Sequence, residues 1–356
     1  MKTVKRKRGS GKRPARPPAR APRAGKPRGG RAEEVLTLLR ERDDFVSGAG
    51  MSRALHISRS AVWKHIVALR GAGFVVEAIP SRGYRLRSAP DLLLPSEVQR
   101  GLTTAFVGRD IHHHETIDST NREALRLADQ GAAEGTTVIA EEQTAGRGRL
   151  GRVWFSPPRV NLYASVILRP ALPMAQAAQV VLVGAVAAAR AIGSLYDGPP
   201  QTPPRIKWPN DILIGGRKVS GTLVETASEG ELLRHLVLGI GINVNLAEKD
   251  IPEEICGIAT SLAVACGHPV SRVELARRLF GEIEAAYLRF RQEGFKRLAS
   301  EYASLSDLWG RPVRVSLTRG SLEGIAEGLE PDGALRLRLP SGSAERILAG
   351  DVQLLR

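Results

Sequence analysis

The chain has 356 residues, and its 52 Lys and Arg against 37 Asp and Glu leave a formal charge of +15. Thirteen of the basic residues and none of the acidic ones fall in residues 1–31, so the rest is nearly neutral, with 39 basic and 37 acidic side chains. A uniformly basic coat for nucleic acid is therefore excluded. So is a mostly disordered chain, because 42% hydrophobic residues over a balanced body can bury a core.

Residues 1–31 hold five Pro, five Gly and, apart from Ala, only Met1 and Val4 as apolar residues. Such a segment cannot offset its ordering entropy by burial, and like charges extend it. Two readings stay open: non-specific attraction to DNA phosphates with counterion release, or a solvated extension. The positive start has no apolar run behind it, so no secretory leader is expected. The longest uncharged run, 171–189, is mostly Ala and Val and reads as a buried core helix rather than a membrane span. A cytoplasmic protein without a membrane partner follows.

A small module is expected over 32–88. Val35, Leu36, Leu38 and Leu39 make a helical apolar face behind Glu33 and Glu34, acids that suit a helix N-terminus. A short helix around 51–55, a turn at 56–58 and a second helix from Ser58, capped by Ser58 or Ser60, come next. In that second helix Val62, Ile66 and Leu69 form a buried stripe and leave Arg59, Ser60, Trp63 and Lys64 toward the other side. Two short helices of this kind suit a helix-turn-helix entering a major groove. The turn Pro80-Ser81-Arg82-Gly83 between two short strands suits a basic wing, which makes Ser58, Arg59, Ser60, Lys64 and Arg82 the candidate DNA contacts. The alternative is a winged helix used only for protein contacts.

From 98 to 305 strand-like and helix-like segments alternate, as in an α+β or α/β domain built round one sheet. Strands are expected at 137–140, 161–169, 205–208, 218–225 and 236–244, and helices at 180–195 and 273–289. Three segments carry chemistry. In Gln143-Thr144-Ala145-Gly146-Arg147-Gly148-Arg149-Leu150-Gly151-Arg152-Val153-Trp154, alternate glycines let backbone N–H groups approach an anion. Its three arginines supply planar donors for carboxylate or phosphate, and Trp154-Phe155 let the loop fold over an apolar ligand. It is neither a P-loop nor a dinucleotide fingerprint. In Lys207-Trp208-Pro209-Asn210-Asp211 and the following Lys218, two lysines on neighbouring strands could flank a phosphoryl group and a carboxylate. Asp211 could hold magnesium, directly or through water. In Leu238-Gly239-Ile240-Gly241-Ile242-Asn243-Val244-Asn245 the glycines allow a ring to lie against the backbone, with Asn243 free to bond a base.

His112-His113-His114 alternates faces in a strand and cannot converge on one ion, so no metal site is expected of the protein itself. Cys256 and Cys266 read as buried small apolar residues. No activated nucleophile is evident, so the chemistry expected is positioning: a carboxylate and a nucleotide phosphate aligned by Arg and Lys. From 308 to 356, Pro312-Val313-Arg314-Val315 with Gly324, Gly328 and Gly333 between short strands reads as a small β-barrel.

Ser119-Thr120-Asn121, the 146–152 loop, 207–211, Lys218 and 239–243, in that order, resemble a biotin–protein ligase. With the winged helix in front, the chain from about 32 to 356 resembles the bifunctional subclass that is also the biotin operon repressor. The resemblance implies an α+β protein with a central ligase domain of the class II synthetase-like type and an SH3-like barrel closing one side of the site. It implies biotin at Ser119, Thr120, Asn121, Gln143, Gly146, Arg147, Gly148, Arg149 and Lys218, with Arg147, Arg149 and Lys218 catalytic. It implies ATP at Arg149, Arg152, Lys207, Asn210, Asp211 and Asn243. The implied reaction makes biotinyl-5′-AMP from biotin and MgATP, then biotinylates a lysine of a biotin carboxyl carrier protein. The adenylate-bound protein is implied to dimerise on operator DNA. Some family members stack adenine on a Trp in the loop after the third motif. Here that stretch, Lys249-Asp250-Ile251-Pro252-Glu253-Glu254-Ile255, has no aromatic, which leaves aliphatic surface for the base. A lipoate–protein ligase and a transcription factor that only senses the adenylate are the rival readings.

Overall fold

The structure is a computed structural model that describes residues 30–42, 44–229 and 232–355. The first 29 residues of the basic tail, and any role for them, lie outside these. The chain divides into two compact units between Pro90 and Asp91.

In the first unit three helices, α1 (Gly30–Arg40), α2 (Gly48–Leu55) and α3 (Arg59–Gly71), precede a hairpin of β1 (Val75–Ile79) and β2 (Gly83–Ser88). Each helix of the central pair starts on a serine: Ser47 Oγ accepts from Gly50 N–H at 3.0 Å, and Ser58 Oγ from Ala61 N–H at 3.1 Å. Ser58, not Ser60, is thus the cap, and the two hydroxyls lie 2.9 Å apart. His56 turns the chain between them in a left-handed conformation. Val62, Ile66 and Leu69 reach a core shared with Val35, Leu36, Leu39 and Met51, which leaves Arg59, Trp63 and Lys64 exposed. Gly83 is needed twice over. Its φ is +112°, and a methyl group there would run into the carbonyl of Val46, which pairs with Tyr84 beside the wing.

The second unit opens with α4 (Pro95–Gln99), β3 (Ile111–His114), α5 (Thr120–Asp129), β4 (Thr137–Ala140), β5 (Leu162–Leu168) and α6 (Ala177–Gly193). Then come β6 (Arg205–Lys207), β7 (Asp211–Ile214), β8 (Arg217–Glu229), β9 (Leu232–Ile242), α7 (Leu262–Cys266), α8 (Arg272–Glu293) and α9 (Phe295–Ser304). The sheet runs β3-β4-β5-β9-β8-β7-β6, with only the β3–β4 pair parallel. Leu162, Ala164, Val166 and Leu168 of β5 join the main core with α6 and α8, while Ile167 packs with Ala124 and Ala128 of α5 on the opposite face. The alternation expected along this strand is therefore real, although both faces are covered. The core helix begins at Ala177 rather than Ala171, because a short 3-10 turn, Met174–Gln176, follows Pro173, and it runs on to Gly193.

Five strands finish the chain: β10 (Pro312–Ser316), β11 (Ser321–Leu329), β12 (Leu335–Arg338), β13 (Ala344–Ile347) and β14 (Asp351–Leu354). They form an antiparallel sheet in the order β13-β12-β11-β10-β14. Val313, Val315, Ala326, Leu335, Leu337 and Val352 belong to the same core as α6 and α8, so this sheet is packed into the second unit and not a free-standing module. Its last strand brings Asp351 to within 2.7 Å of Lys207 on β6 of the larger sheet.

The two cysteines correct an expectation. Both are free, Cys256 is exposed and Cys266 only half-buried. Cys256 follows a 3-10 turn in a surface loop, whereas Cys266 ends the five-residue α7 beside Asp197, where it packs against the edge of the main core without being enclosed by it. Among the described residues no helix is long and apolar enough to cross a membrane.

Candidate active site

Sheet register builds the floor of the site. On the α5 side, Tyr163 of β5 pairs with Gly241 of β9, Gly241 with Gly221 of β8, Gly221 with Asp211 of β7, and Asp211 with Lys207 of β6. One row across five strands thus passes from an aromatic, through two glycines, to a carboxylate and an ammonium. In the next row Ser165 stands opposite Gly239. A methyl group at Gly241 would lie 2.6 Å from the Trp154 indole, and one at Gly221 would lie 3.1 Å from the same ring. The glycines do admit a ring against the backbone, as their spacing suggests, and the ring that lies there is the protein's own Trp154. Its indole N–H is buried without a partner.

Trp154 is delivered by the Gly-Arg segment, which is a small hairpin rather than an open loop. Arg147 bridges Val153, Gly148 N–H donates to the Arg152 carbonyl at 2.8 Å, and Trp154 N–H to that of Gly146 at 2.9 Å. Leu150 and Gly151 take positive φ at the tip, and Leu150 and Val153 are exposed. A cleft of about 1000 Å³ lies between this hairpin, the sheet and the last strand. Of the residues expected at the site, Ser119, Thr120, Asn121, Gln143, Arg147, Gly148, Arg149, Arg152, Lys207, Asn210, Asp211, Lys218 and Asn243 all line it. Gly146 does not. It serves the hairpin, where a side chain would strike the Trp154 carbonyl.

At the apolar end the start of α5 is held by hydrogen bonds. Gln143 Oε1 accepts from Thr120 N–H at 2.9 Å and from its hydroxyl at 3.1 Å, and Gln143 Nε2 donates to Ser156 Oγ. Ser165 Oγ donates to Asn121 Oδ1 at 2.6 Å and Asn121 Nδ2 to Glu225 at 2.8 Å. Gly239 is what makes room for the Asn121 amide. Glu225 also takes an ion pair from Arg147 at 2.7 Å, so one carboxylate on β8 ties the hairpin to α5. Nothing in the text around Glu225 marks it beforehand.

At the charged end the cations are paired. Lys218 Nζ lies 2.6 Å from Asp211 and 5.2 Å from the Trp154 ring centre. Arg149 donates to Asn210 Oδ1 at 2.9 Å, and Asn210 Nδ2 donates to the Thr222 carbonyl. Burial lowers the Arg149 pKa, with Asp211 and Asp351 working against it, yet a guanidinium stays charged. Asp351, at the start of β14, takes Lys207 at 2.7 Å and Arg152 at 3.3 Å. Burial alone would push the Asp351 carboxyl up; the Lys207 hydrogen bond and charge, with Arg152 behind them, outweigh it and hold the pKa low. Asp351 lies 144 residues from Lys207 in the chain, too far for any local motif to reveal.

One expectation needs correction. Lys207 and Lys218 are not on neighbouring strands, because the four-residue β7 lies between them. Asn243 is oriented by one of its two amide N–H groups, Nδ2 donating to the Thr260 carbonyl at 3.0 Å. The aliphatic surface expected in place of a stacking aromatic is present, with Leu246, Ile255, Ile258 and Ala259 lining that end of the cleft. The three histidines carry no metal cluster. Among the described residues no group of three or more His, Cys, Asp or Glu could hold an ion, and the His113 side chain is buried beside Glu141.

Sequence comparison agrees with this geometry. Residues 31–85 match a helix-turn-helix domain family, residues 114–243 the biotin/lipoate A/B protein ligase family and residues 309–355 the biotin protein ligase C-terminal domain. The chain is 39% identical to the "Bifunctional ligase/repressor BirA" of Bacillus subtilis (strain 168) over 88% of its own length and 94% of that protein's. It is 33% identical to the protein of the same name from Escherichia coli K12, over 90% of this chain and 96% of the other. The structure of a biotin protein ligase from Aquifex aeolicus in complex with biotin and ATP superposes with a TM-score of 0.59 at 31% identity, covering 70% of this chain and 99% of that one. The fold and cleft define an α+β adenylate-forming type of ligase preceded by a winged helix. The chain belongs to the biotin–protein ligase family, in its bifunctional ligase/repressor branch.

Proposed function

We propose that the cleft joins biotin to AMP and passes the biotinyl group to a lysine of a biotin carboxyl carrier protein. The observation that carries this reading is one row of the sheet, where a glycine floor covered by the Trp154 ring runs directly into Asp211 and Lys207, with Lys218, Arg149 and Arg152 lining the same cleft. The ring of biotin would lie beside Trp154 at the α5 end of the cleft, with Ser119, Thr120, Asn121 and Gln143 for its polar edge. Its carboxylate would face Lys218 and Arg147, and the triphosphate would face Arg149, Arg152 and Lys207. The carboxylate oxygen attacks the α-phosphorus and the bond to the bridging oxygen breaks, so pyrophosphate leaves with the electron pair. The carrier's lysine amine then attacks the acyl carbon, AMP leaves, and the amine's proton goes to solvent. Fixed cations aimed at these oxygens stabilise charge where it develops.

Magnesium fits this site only as part of the nucleotide. Asp211 already pairs with Lys218 and no protein cage exists among the described residues, whereas magnesium commonly takes one carboxylate with substrate phosphates. Asp211 is the residue that would hold it, and the ion would neutralise phosphate charge.

Purified protein incubated with biotin, MgATP and a carrier domain is expected to add one biotinyl group to the carrier by intact mass. Transfer of lipoate alone would overturn the substrate assignment, and no transfer would leave an adenylate sensor. Arg147→Gly should loosen adenylate retention, so that bystander lysines become labelled and release quickens about tenfold or more, as expected when a charge-assisted contact is lost.

A second activity is supported by the first unit. With α3 presenting Arg59 and Lys64 to solvent, the helix pair is suited to operator DNA, and adenylate-bound chains would pair to match a two-fold operator. Gel shifts on the promoter of the protein's own biotin genes, with biotin and ATP, test it; both activities would be cytoplasmic.

A further inference from the structure

The segment 44–47 does three things at once in the first unit. Val46 pairs with Tyr84 through two backbone hydrogen bonds, Val46 N–H to the Tyr84 carbonyl at 2.8 Å and Tyr84 N–H back at 2.9 Å, and its side chain enters the core. Ser47 caps α2, the first helix of the central pair. Because side chains alternate along an extended segment, Phe45 faces the other way and stands across from Arg85 of β2. The Arg85 guanidinium carbon lies 4.5 Å from the centre of its ring, and that of Arg82, from the wing turn, lies 4.4 Å from it. Asp44 adds an ion pair to Arg82 at 3.1 Å, and Glu77 holds Arg85 at 3.0 Å and Arg87 at 2.6 Å.

Both wing arginines therefore rest on one aromatic ring. The neutral ring holds the guanidiniums by their faces, so their N–H edges, which here meet Asp44 and Glu77, can exchange those carboxylates for phosphate while the ring contact stays. A long side chain in water otherwise loses rotamer freedom when it grips a phosphate, and that loss weakens binding.

We propose that Phe45 is a positioning residue for DNA: a ring that stations Arg82 and Arg85 at a set distance from the helix pair, so that wing and helix meet the duplex together. This rests on the DNA-binding reading of the winged helix. The partner chemistry is backbone phosphate flanking the groove that receives α3. Phe45 itself touches no nucleic acid.

The test uses the full chain with biotin and MgATP, and a duplex enriched by that protein from a random-sequence pool, with dissociation constants measured across a salt series. Phe45→Leu, which keeps an apolar side chain of similar size, is expected to weaken binding about threefold to tenfold. It should also flatten the plot of log affinity against log salt by about one to two, the share of two phosphate contacts. Phe45→Tyr, which keeps the ring, should stay within about twofold of the wild type. In an Arg82→Ala, Arg85→Ala background, Phe45→Leu should cost nothing further. Unaltered affinity and slope in Phe45→Leu would overturn the proposal. So would an equal loss in the double-alanine background, since that marks a structural role alone. If the wild-type chain enriches and binds no duplex, the DNA-binding reading itself fails and takes the clamp with it, an outcome distinct from either.

Discussion

A methyl group at residue 241 would press on the Trp154 ring, and one at 239 would displace the Asn121 amide, so at these positions the absent side chain is the functional one. Gly241→Ala is expected to raise the KM for biotin about tenfold, in line with the usual cost of overpacking, while the KM for ATP changes little. A shift in both constants alike would mean that Trp154 is not part of the biotin end. Glu141 shows a different residue-scale effect. It is buried, accepts from Leu93 N–H at 2.8 Å and pairs with Arg272 at 2.6 Å. Burial by itself would raise its pKa, but His113 and Arg272 bring it down from 4.5 to about 2. A carboxyl lowered in the folded state stabilises that state above its unfolded pKa and loses the effect as pH falls through the folded value. Wild-type stability should therefore fall between pH 4.5 and 2 through this group. Glu141→Gln, which takes one charged partner from Arg272 and leaves it Asp91 at 3.2 Å, should cost about 2 kcal/mol near neutrality and respond less to acid in that window, as read by chemical denaturation at a series of pH values.

Elements succeed here where their ends carry a local signal. Ser47 and Ser58 start α2 and α3, and the helical stripe of Val62, Ile66 and Leu69 is legible because burial in a helix repeats every three or four residues. The wing is equally local, although its dependence on Val46 is not. Gly83→Ala should break the Val46–Tyr84 pairing and lower the stability of the first unit by roughly 2 kcal/mol, from a strained φ together with the clash. Carrier biotinylation by the 91–356 unit should persist; its loss would show that the first unit is needed for catalysis. The short β7 is the element that local reading misses. Four residues between a proline and a Gly-Gly turn look like part of a hairpin tip, yet they separate Lys207 from Lys218 by a whole strand. Likewise Pro173 and the 3-10 turn after it keep the start of the uncharged run out of α6, which begins at Ala177, a few residues ahead of the 180 expected for it.

At the scale of the molecule the main hydrophobic cores of the two units differ greatly in extent, and among the described residues the second unit adds smaller clusters behind α5 and around Leu246, Ile251 and Ala259. Calorimetry is expected to show two transitions. Biotin with MgATP should raise the larger one, by about 2.7 kcal/mol at ligand concentrations a hundredfold above Kd, and leave the smaller unmoved. A single transition that shifts as a whole would refute independent cores. The terminal sheet shares the larger core and sends Asp351 to Lys207 and Arg152, so its removal should unfold the second unit rather than merely uncover the cleft.

What the sequence by itself determined is whatever depends on neighbours in the chain: caps, helical stripes, the alternation along β5, and the Gly-Arg and Lys-Trp-Pro-Asn-Asp segments whose unusual composition announces an anion site. Nearly every side chain taken from those two segments, and those that the family resemblance added at Ser119, Thr120, Asn121, Lys218 and Asn243, line one cleft. Only the tertiary structure decided what each of them touches. Glu225 binding both Arg147 and Asn121, Asp351 closing on two cations, Trp154 lying across Gly221 and Gly241, and Phe45 beneath two arginines all depend on strand order and register. Strand pairing joins residues tens to hundreds of positions apart, and what settles it is burial of whole faces of the sheet. A lone Glu, Asp or Phe carries no local trace of that choice.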